Sequence, residues 1–189
     1  MKLILSVILL FSAVLFAEEY HVNTSAENEV KFISDAPIGD FEGVTDDIDG
    51  YLYYEDGDLT KNSKLYFEVE LNTLDTGIGL RNRHMRDNYL HTDKYPLTYF
   101  KGKIVKAEKT SENEYKVTAY GDIFIHGVKK PMKVDGTMTK NGDQYNIKTQ
   151  FIVKLSDFNI EIPSIMFYKI DENMDLQLNF FVKLYKGDQ

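Results

Sequence analysis

The chain carries three arginines, Arg81, Arg83 and Arg86, and all three fall within six residues. Every other fixed positive charge is a lysine. Planar guanidinium groups suit two-pronged contact with phosphate or carboxylate. Arg83 and Arg86 lie three apart and project together from a helix, so the cluster can clamp an anion or a polar head group. The same side chains can instead form ion pairs with Asp75, Asp87 and Asp93. The histidines are His21, His84, His91 and His126. His84 and His91 are seven apart and share one helical face, with Asn88 or an outside acid as a third metal ligand. The spacing is a weak metal signal, hydrogen-bonding histidines are its commoner cause, and no metal is expected. His126 precedes Gly127 in a tight connection, where it is expected to bond turn backbone.

Other chemistry is sparse. There is no G-x-S-x-G, H-E-x-x-H or phosphate-binding loop of the G-x-x-x-x-G-K type. Gly77 to Asn82 resembles a dinucleotide fingerprint but lacks its third glycine and any βαβ setting, and it reads as a turn. Thr45 to Asp56 has the wrong residues at both ends for a calcium loop and reads as an acidic hairpin. No nucleophile–base spacing points to an enzyme.

Period-2 alternation is the dominant pattern along the rest of the chain. Leu65, Phe67, Val69 and Leu71 alternate with polar neighbours, as do Met132, Val134 and Met138. The same holds for Phe151, Val153 and Leu155, and for Leu176, Leu178 and Phe180. These are antiparallel strands, apolar within and wet outside. Further strands are expected around residues 20–24, 28–36, 41–48, 50–55, 98–107 and 114–125. The segment 79–91 breaks the pattern: Met85 and Tyr89 are four apart, which predicts a short helix with one apolar face. About eight long strands and one helix imply an all-β barrel or sandwich. A closed barrel of eight has room for side chains alone or for one slim ligand, and alternation does not separate the two.

The chain has 189 residues, a formal charge of −8 and no cysteine. Disulfides, thiolate metal sites and a cysteine nucleophile are therefore excluded. An acidic chain argues against nucleic acid and against simple adhesion to an anionic bilayer. Leu3 to Ala17 is apolar save for Ser6 and Ser12, follows Lys2 and precedes Glu18-Glu19. This is the pattern of a cleavable signal peptide, residues 1–17, although Leu15 is larger than the small residue usual two positions before the terminal Ala17. As a helix the run reaches only ~22 Å, short of a bilayer core of roughly 30 Å. Residues 18–189 show no linker or repeat and read as one domain.

Residues 71–100 carry Asp75-Thr76-Gly77, Arg81, His84, Arg86, then Lys94-Tyr95-Pro96 and Phe100. Residues 121–132 read GDIFIHGVKKPM, and Ser156-Asp157-Phe158-Asn159-Ile160 follows later. Together these motifs resemble the YceI-like family of exported polyisoprenoid-binding proteins. Asn82, Met85, Asp87, Asn23 and Asn159 depart from that family's usual residues.

The resemblance implies an antiparallel lipocalin-like β-barrel with a short helix, enclosing an elongated apolar cavity. It implies a bacterial periplasmic protein that carries or sequesters an amphiphilic isoprenoid, with no cofactor. Transient membrane contact and a homodimer are both compatible with it. The tail would lie against Phe32, Leu65, Phe67, Val69, Leu71, Met85, Tyr89 and Phe100. Met132, Val134, Phe151, Val153, Leu176, Leu178 and Phe180 would complete that surface. Arg81, Arg83, His84 and Arg86 would hold the head. The competing expectations are a lipid-modifying enzyme and a ligand-free structural or stress-response domain with a filled core.

Overall fold

Alternation from polar to apolar places one face of each strand in a common interior, and the strands close around it. The computed structural model describes residues 17–35, 40–165 and 168–187. The expected signal peptide lies outside these residues except for Ala17. The strands are β1 (Ala17–Val22), β2 (Glu29–Ser34), β3 (Phe41–Thr45), β4 (Ile48–Glu55), β5 (Lys64–Glu70) and β6 (Leu97–Lys109). They continue as β7 (Glu114–Ile125), β8 (Val128–Asn141), β9 (Gln144–Lys154), β10 (Ser164–Ile165), β11 (Tyr168–Lys169) and β12 (Asn173–Leu184). Each strand expected from the sequence forms. The order β1-β4-β5-β6-β7-β8-β9-β12 closes through β12 onto β1, giving an antiparallel barrel of eight strands. Closure removes most of the sheet edges that would otherwise invite pairing between molecules.

β12 serves two strands on one edge. Its residues 182–184 pair with β1, and residues 174–179 pair with β2. The gap between is patched by side chains. Asn28 Oδ1 accepts from the Phe181 amide (3.0 Å) and Asn28 Nδ2 donates to the Asn23 carbonyl (3.0 Å). β3 then lies outside β2, and its Val44 exchanges backbone hydrogen bonds with Asp75 (2.9 Å each).

The two ends of the barrel differ. At one end lie the short turns, such as that joining β8 to β9, together with the start of β1 and the end of β12. At the other lies the long β5–β6 connection, which carries α1 (Gly79–His84) and runs on as a π-helical turn over Met85–Leu90. His91 ends it in the left-handed region, at φ 47°. The same end holds the His126-Gly127 turn, where φ is 49° and 78°. Two successive left-handed residues make a type I′ hairpin, whose twist matches the strands it joins. Gly127 is required there: a Cβ would stand 2.7 Å from the Tyr95 ring. Buried residues form two clusters, the first reaching from the floor up the β4–β5 wall to Ile48 and Val69, the second gathered toward the α1 end. Tyr20, Leu52, Tyr54 and Val182 belong to the first, and Ile123, Leu155, Phe158 and Ile170 to the second.

Candidate functional site

The inward faces meet in places, as where the Phe67 and Phe180 rings stand edge to face with centroids 4.9 Å apart, and elsewhere they part. They leave a hollow of about 700 Å³ that runs from the level of Leu52, Ile104 and Met138 up to α1. Its border is aliphatic and aromatic almost throughout, and the charged or imidazole side chains on it are Lys31, Arg81 and His84. Phe32, Leu65, Phe67, Val69, Leu71, Met85, Tyr89 and Phe100 border it, as do Val134, Phe151, Val153, Leu176, Leu178 and Phe180. Met132 does not. It packs instead with the cluster that contains Leu155, Phe158 and Ile160, beside the wall. Sequence reading passed over Val117, Ala119, Ile123, Ile104 and Leu52, all of which border the hollow. The alternation within 114–125 carried the signal, since Val117, Ala119, Ile123 and Ile125 share one face of β7.

The floor is a polar plug of buried phenols. Tyr20 and Tyr54 both donate to Glu18 Oε2 (2.9 Å each), and the Tyr54 and Tyr145 hydroxyls meet at 3.0 Å. Burial, reinforced by the bonds to Tyr145 and Tyr20, pushes the Tyr54 hydroxyl far above the ordinary phenol range. Burial likewise raises Tyr20. These groups stay neutral and seal the end of the barrel.

The rim is built on α1. Arg81 Nε donates to Thr76 Oγ1 (2.8 Å), its Nη2 donates to the Thr76 carbonyl (2.5 Å), and its guanidinium lies over the Phe41 ring at 4.6 Å. Asn82 pins the same turn. Its Oδ1 accepts from the Thr76 amide (2.8 Å) and hydroxyl (2.6 Å), and its Nδ2 donates to Asp75 Oδ1 (2.7 Å). That last bond, with the Gly77 amide (2.8 Å), holds the Asp75 carboxyl below its usual range. An aspartate at position 82 would face Asp75 with a like charge, so the asparagine fits this chain's turn.

The four expected head-group residues do not converge. Arg81 and His84 border the hollow, while Arg83 and Arg86 do not. Arg86 reaches the Asn72 carbonyl at 3.4 Å, and Arg83 is exposed with no hydrogen-bond or ion-pair partner among the described residues. The ion pairs of the described residues are made by lysines and His21, none by an arginine, so the acids Asp75, Asp87 and Asp93 do not engage the cluster in salt bridges.

The histidines also sort differently. His84 lies on the rim, while His91 Nδ1 meets His126 Nε2 at 2.8 Å. His126 does bond turn backbone, that of the Leu155–Phe158 turn, its Nδ1 meeting the Phe158 carbonyl at 3.1 Å. The pair ties the β7–β8 turn to the end of the π-turn and to the Leu155–Phe158 turn. No group of three or more histidines and acids gathers to hold a metal among the described residues.

Known proteins share this architecture. BcnA of Burkholderia cenocepacia superposes with a TM-score of 0.69 at 16% identity, covering 85% of this chain and 98% of its own. A polyisoprenoid binding domain from Saccharophagus degradans, implicated in plant cell wall breakdown, gives 0.66 at 14% identity, covering 88% and 98%. A YCEI protein of Campylobacter jejuni gives 0.57 at 22%, covering 76% and 84%. At such identities the likeness is one of fold. Among curated relatives, a UPF0312 protein of Pectobacterium atrosepticum is 27% identical over 125 residues, 62% of each chain. One of Pseudomonas savastanoi is 28% identical over 145 residues, 73% of this chain and 71% of its own. The chain thus spans 62% of the length of the first of these relatives. The family model for the YceI-like domain matches residues 20–182, from the Tyr20 of the floor to the Val182 of the closing strand, and the chain belongs to that family.

Proposed function

We propose that the protein binds an amphiphilic isoprenoid, a polyprenyl or quinone-like lipid, with its tail in the hollow, and acts as a carrier or sequestering protein. The observation that carries this reading is the hollow itself, about 700 Å³ with an almost wholly apolar border and Arg81 and His84 at its rim. A filled core would leave no such space. The polyisoprenoid binding domain of Saccharophagus degradans shares the fold and supports the ligand class. The apolar run Leu3 to Ala17 supports export, and the periplasm is the compartment we assign.

Burying a hydrocarbon tail gains about 0.8 kcal/mol per CH₂ relative to water. An isoprenoid starts in a bilayer, however, where its tail is already among hydrocarbons. Transfer from bilayer to barrel is therefore near balance for the tail, which suits reversible carriage. Selectivity falls to the rim and to the shape of the hollow. We take the site as one of binding rather than catalysis, because no nucleophile–base spacing accompanies it.

Native mass spectrometry of the protein purified from a bacterial periplasm tests this. A population heavier than the bare chain by the mass of one lipid is expected, and the mass difference names the ligand. Clean apo protein on repetition, together with no uptake of added prenols, overturns the reading.

A further inference from the structure

The rim of the hollow presents a surface that neither the barrel nor the tail site accounts for. Ile78 and Leu80 both border the hollow, yet they are 53% and 59% exposed. Two large aliphatic side chains so close on one short segment form a protruding apolar lip. Arg83 follows on the same helix, exposed and without a partner among the described residues. Every arginine of the chain lies in this segment, against Asp87 as its own acid, although the molecule as a whole is acidic. At physiological salt charges are screened beyond about 8 Å, so a surface meeting this lip feels the three arginines, together with Asp75 and Asp87 beside them, before the acids elsewhere on the molecule.

We propose that the α1 rim docks on an anionic phospholipid bilayer, with Ile78 and Leu80 entering the interfacial layer and Arg83 taking a lipid phosphate. Apolar side chains flanked by basic ones are the combination that holds a short helix in a membrane interface. The inference rests on the hollow being a lipid-tail site. A tail that crossed open water between bilayer and barrel would expose itself at about 0.8 kcal/mol per CH₂. A mouth set against the bilayer removes that exposure.

The test is flotation of the whole protein with vesicles of phosphatidylcholine alone, or of phosphatidylcholine and phosphatidylglycerol in equal parts. The wild type is expected to float with the mixed vesicles and far less with phosphatidylcholine. Arg83→Ala should weaken binding to the mixed vesicles roughly fivefold. The double variant Ile78→Asp, Leu80→Asp should lose about tenfold or more. Val105→Asp removes an equally exposed aliphatic side chain far from the rim and should leave flotation unchanged. Thermal melting shows that each variant is folded, and uptake of a prenol from detergent by the wild type and Val105→Asp shows a working hollow. A rim double variant that floats like the wild type overturns the docking, as does a wild type indifferent to phosphatidylglycerol. A wild type that floats normally but takes up no prenol overturns the tail site instead and leaves the docking standing.

Discussion

Glu18, Tyr20, Tyr54 and Tyr145 illustrate how much one polar cluster settles in an apolar barrel. With Tyr20 and Tyr54 both donating to Glu18 Oε2, the Tyr145 hydroxyl is left to donate to Tyr54. Each buried phenol is satisfied, and the chain of bonds ties β1, β4 and β9 together at the floor. Tyr54→Phe removes the central oxygen, which leaves Tyr145 without its acceptor and Glu18 short of a donor. Such a loss costs about 1–3 kcal/mol, which lowers the melting temperature by roughly 2–10 °C. The pH dependence has a definite sign. Tyr54 and Tyr20 have folded pKa values above the unfolded phenol value of about 10. Their contribution is therefore complete below about pH 10 and lost as the pH rises, when unfolded phenols ionise and the folded ones resist. Melting curves across the alkaline range should fall steeply for the wild type and less steeply for Tyr54→Phe. Parallel curves would show that the plug does not govern alkaline stability.

Among the elements, β8 and β9 hold an irregularity that no alternation reveals. Their pairing runs from Asn141 opposite Gln144 only as far as Gly136 opposite Thr149. Beyond that point β8 stays with β7 and β9 with β12, and the two strands part. Thr149 Oγ1 donates to the Asp135 carbonyl (2.9 Å) where the seam ends. Farther up, the Lys130–Asp157 ion pair (2.8 Å) and the bond from His126 to the Phe158 carbonyl span the gap. The type I′ turn at His126-Gly127 makes Ile125 and Val128 a hydrogen-bonded pair. Alternation from there sends the amides of Lys130, Met132 and Val134 to β7 and turns Lys133 toward the gap. Pro131, which has no amide to give, also faces the gap, as a proline in a sheet should. Residue-resolved hydrogen exchange should find Lys133 and Ile152 exchanging at least about tenfold faster than Met132, Val134, Phe151 and Val153. Uniform protection along β8 would mean that the seam is closed. The strands themselves were legible because period 2 and turn residues act locally, and the motifs in 71–100 and 121–132 led to the barrel and its hollow. The seam was not legible, since where pairing stops is set by the barrel's twist; Pro131 was its one written sign. The rim misled for a related reason. The change from α to π at Met85 alters the rotation per residue, so spacings of three and seven no longer placed Arg86 or His91 beside their helical neighbours.

The whole molecule poses the question of how a chain of this size tolerates an interior that its own side chains leave unfilled. Close packing is the rule in protein interiors, and atoms that face a void forfeit contacts. Here the loss is confined by architecture. Members of the two packed clusters line the hollow, and strand hydrogen bonds hold the wall around it everywhere but at the seam between β8 and β9. The wall is thus supported mainly by its ladder, with the phenol plug and the Phe67–Phe180 ring contact bridging the interior, which lets the hollow vary without loss of the fold. Ala119 tests that separation. It borders the hollow, yet belongs to the cluster at the floor end, so enlarging it shortens the space from below. Ala119→Phe adds apolar surface where room already exists. The ligand-free melting temperature should stay level or rise by a few degrees, in contrast to the cost of overpacking a filled core. Prenol binding should change in the opposite sense and by length. Across a series of rising chain length, short prenols should bind as they do to the wild type, and the longest should weaken by about tenfold or more. A variant that melts well below the wild type would show that the space around Ala119 is already filled by neighbouring side chains. Equal losses for short and long prenols would place the tail elsewhere than along the barrel axis.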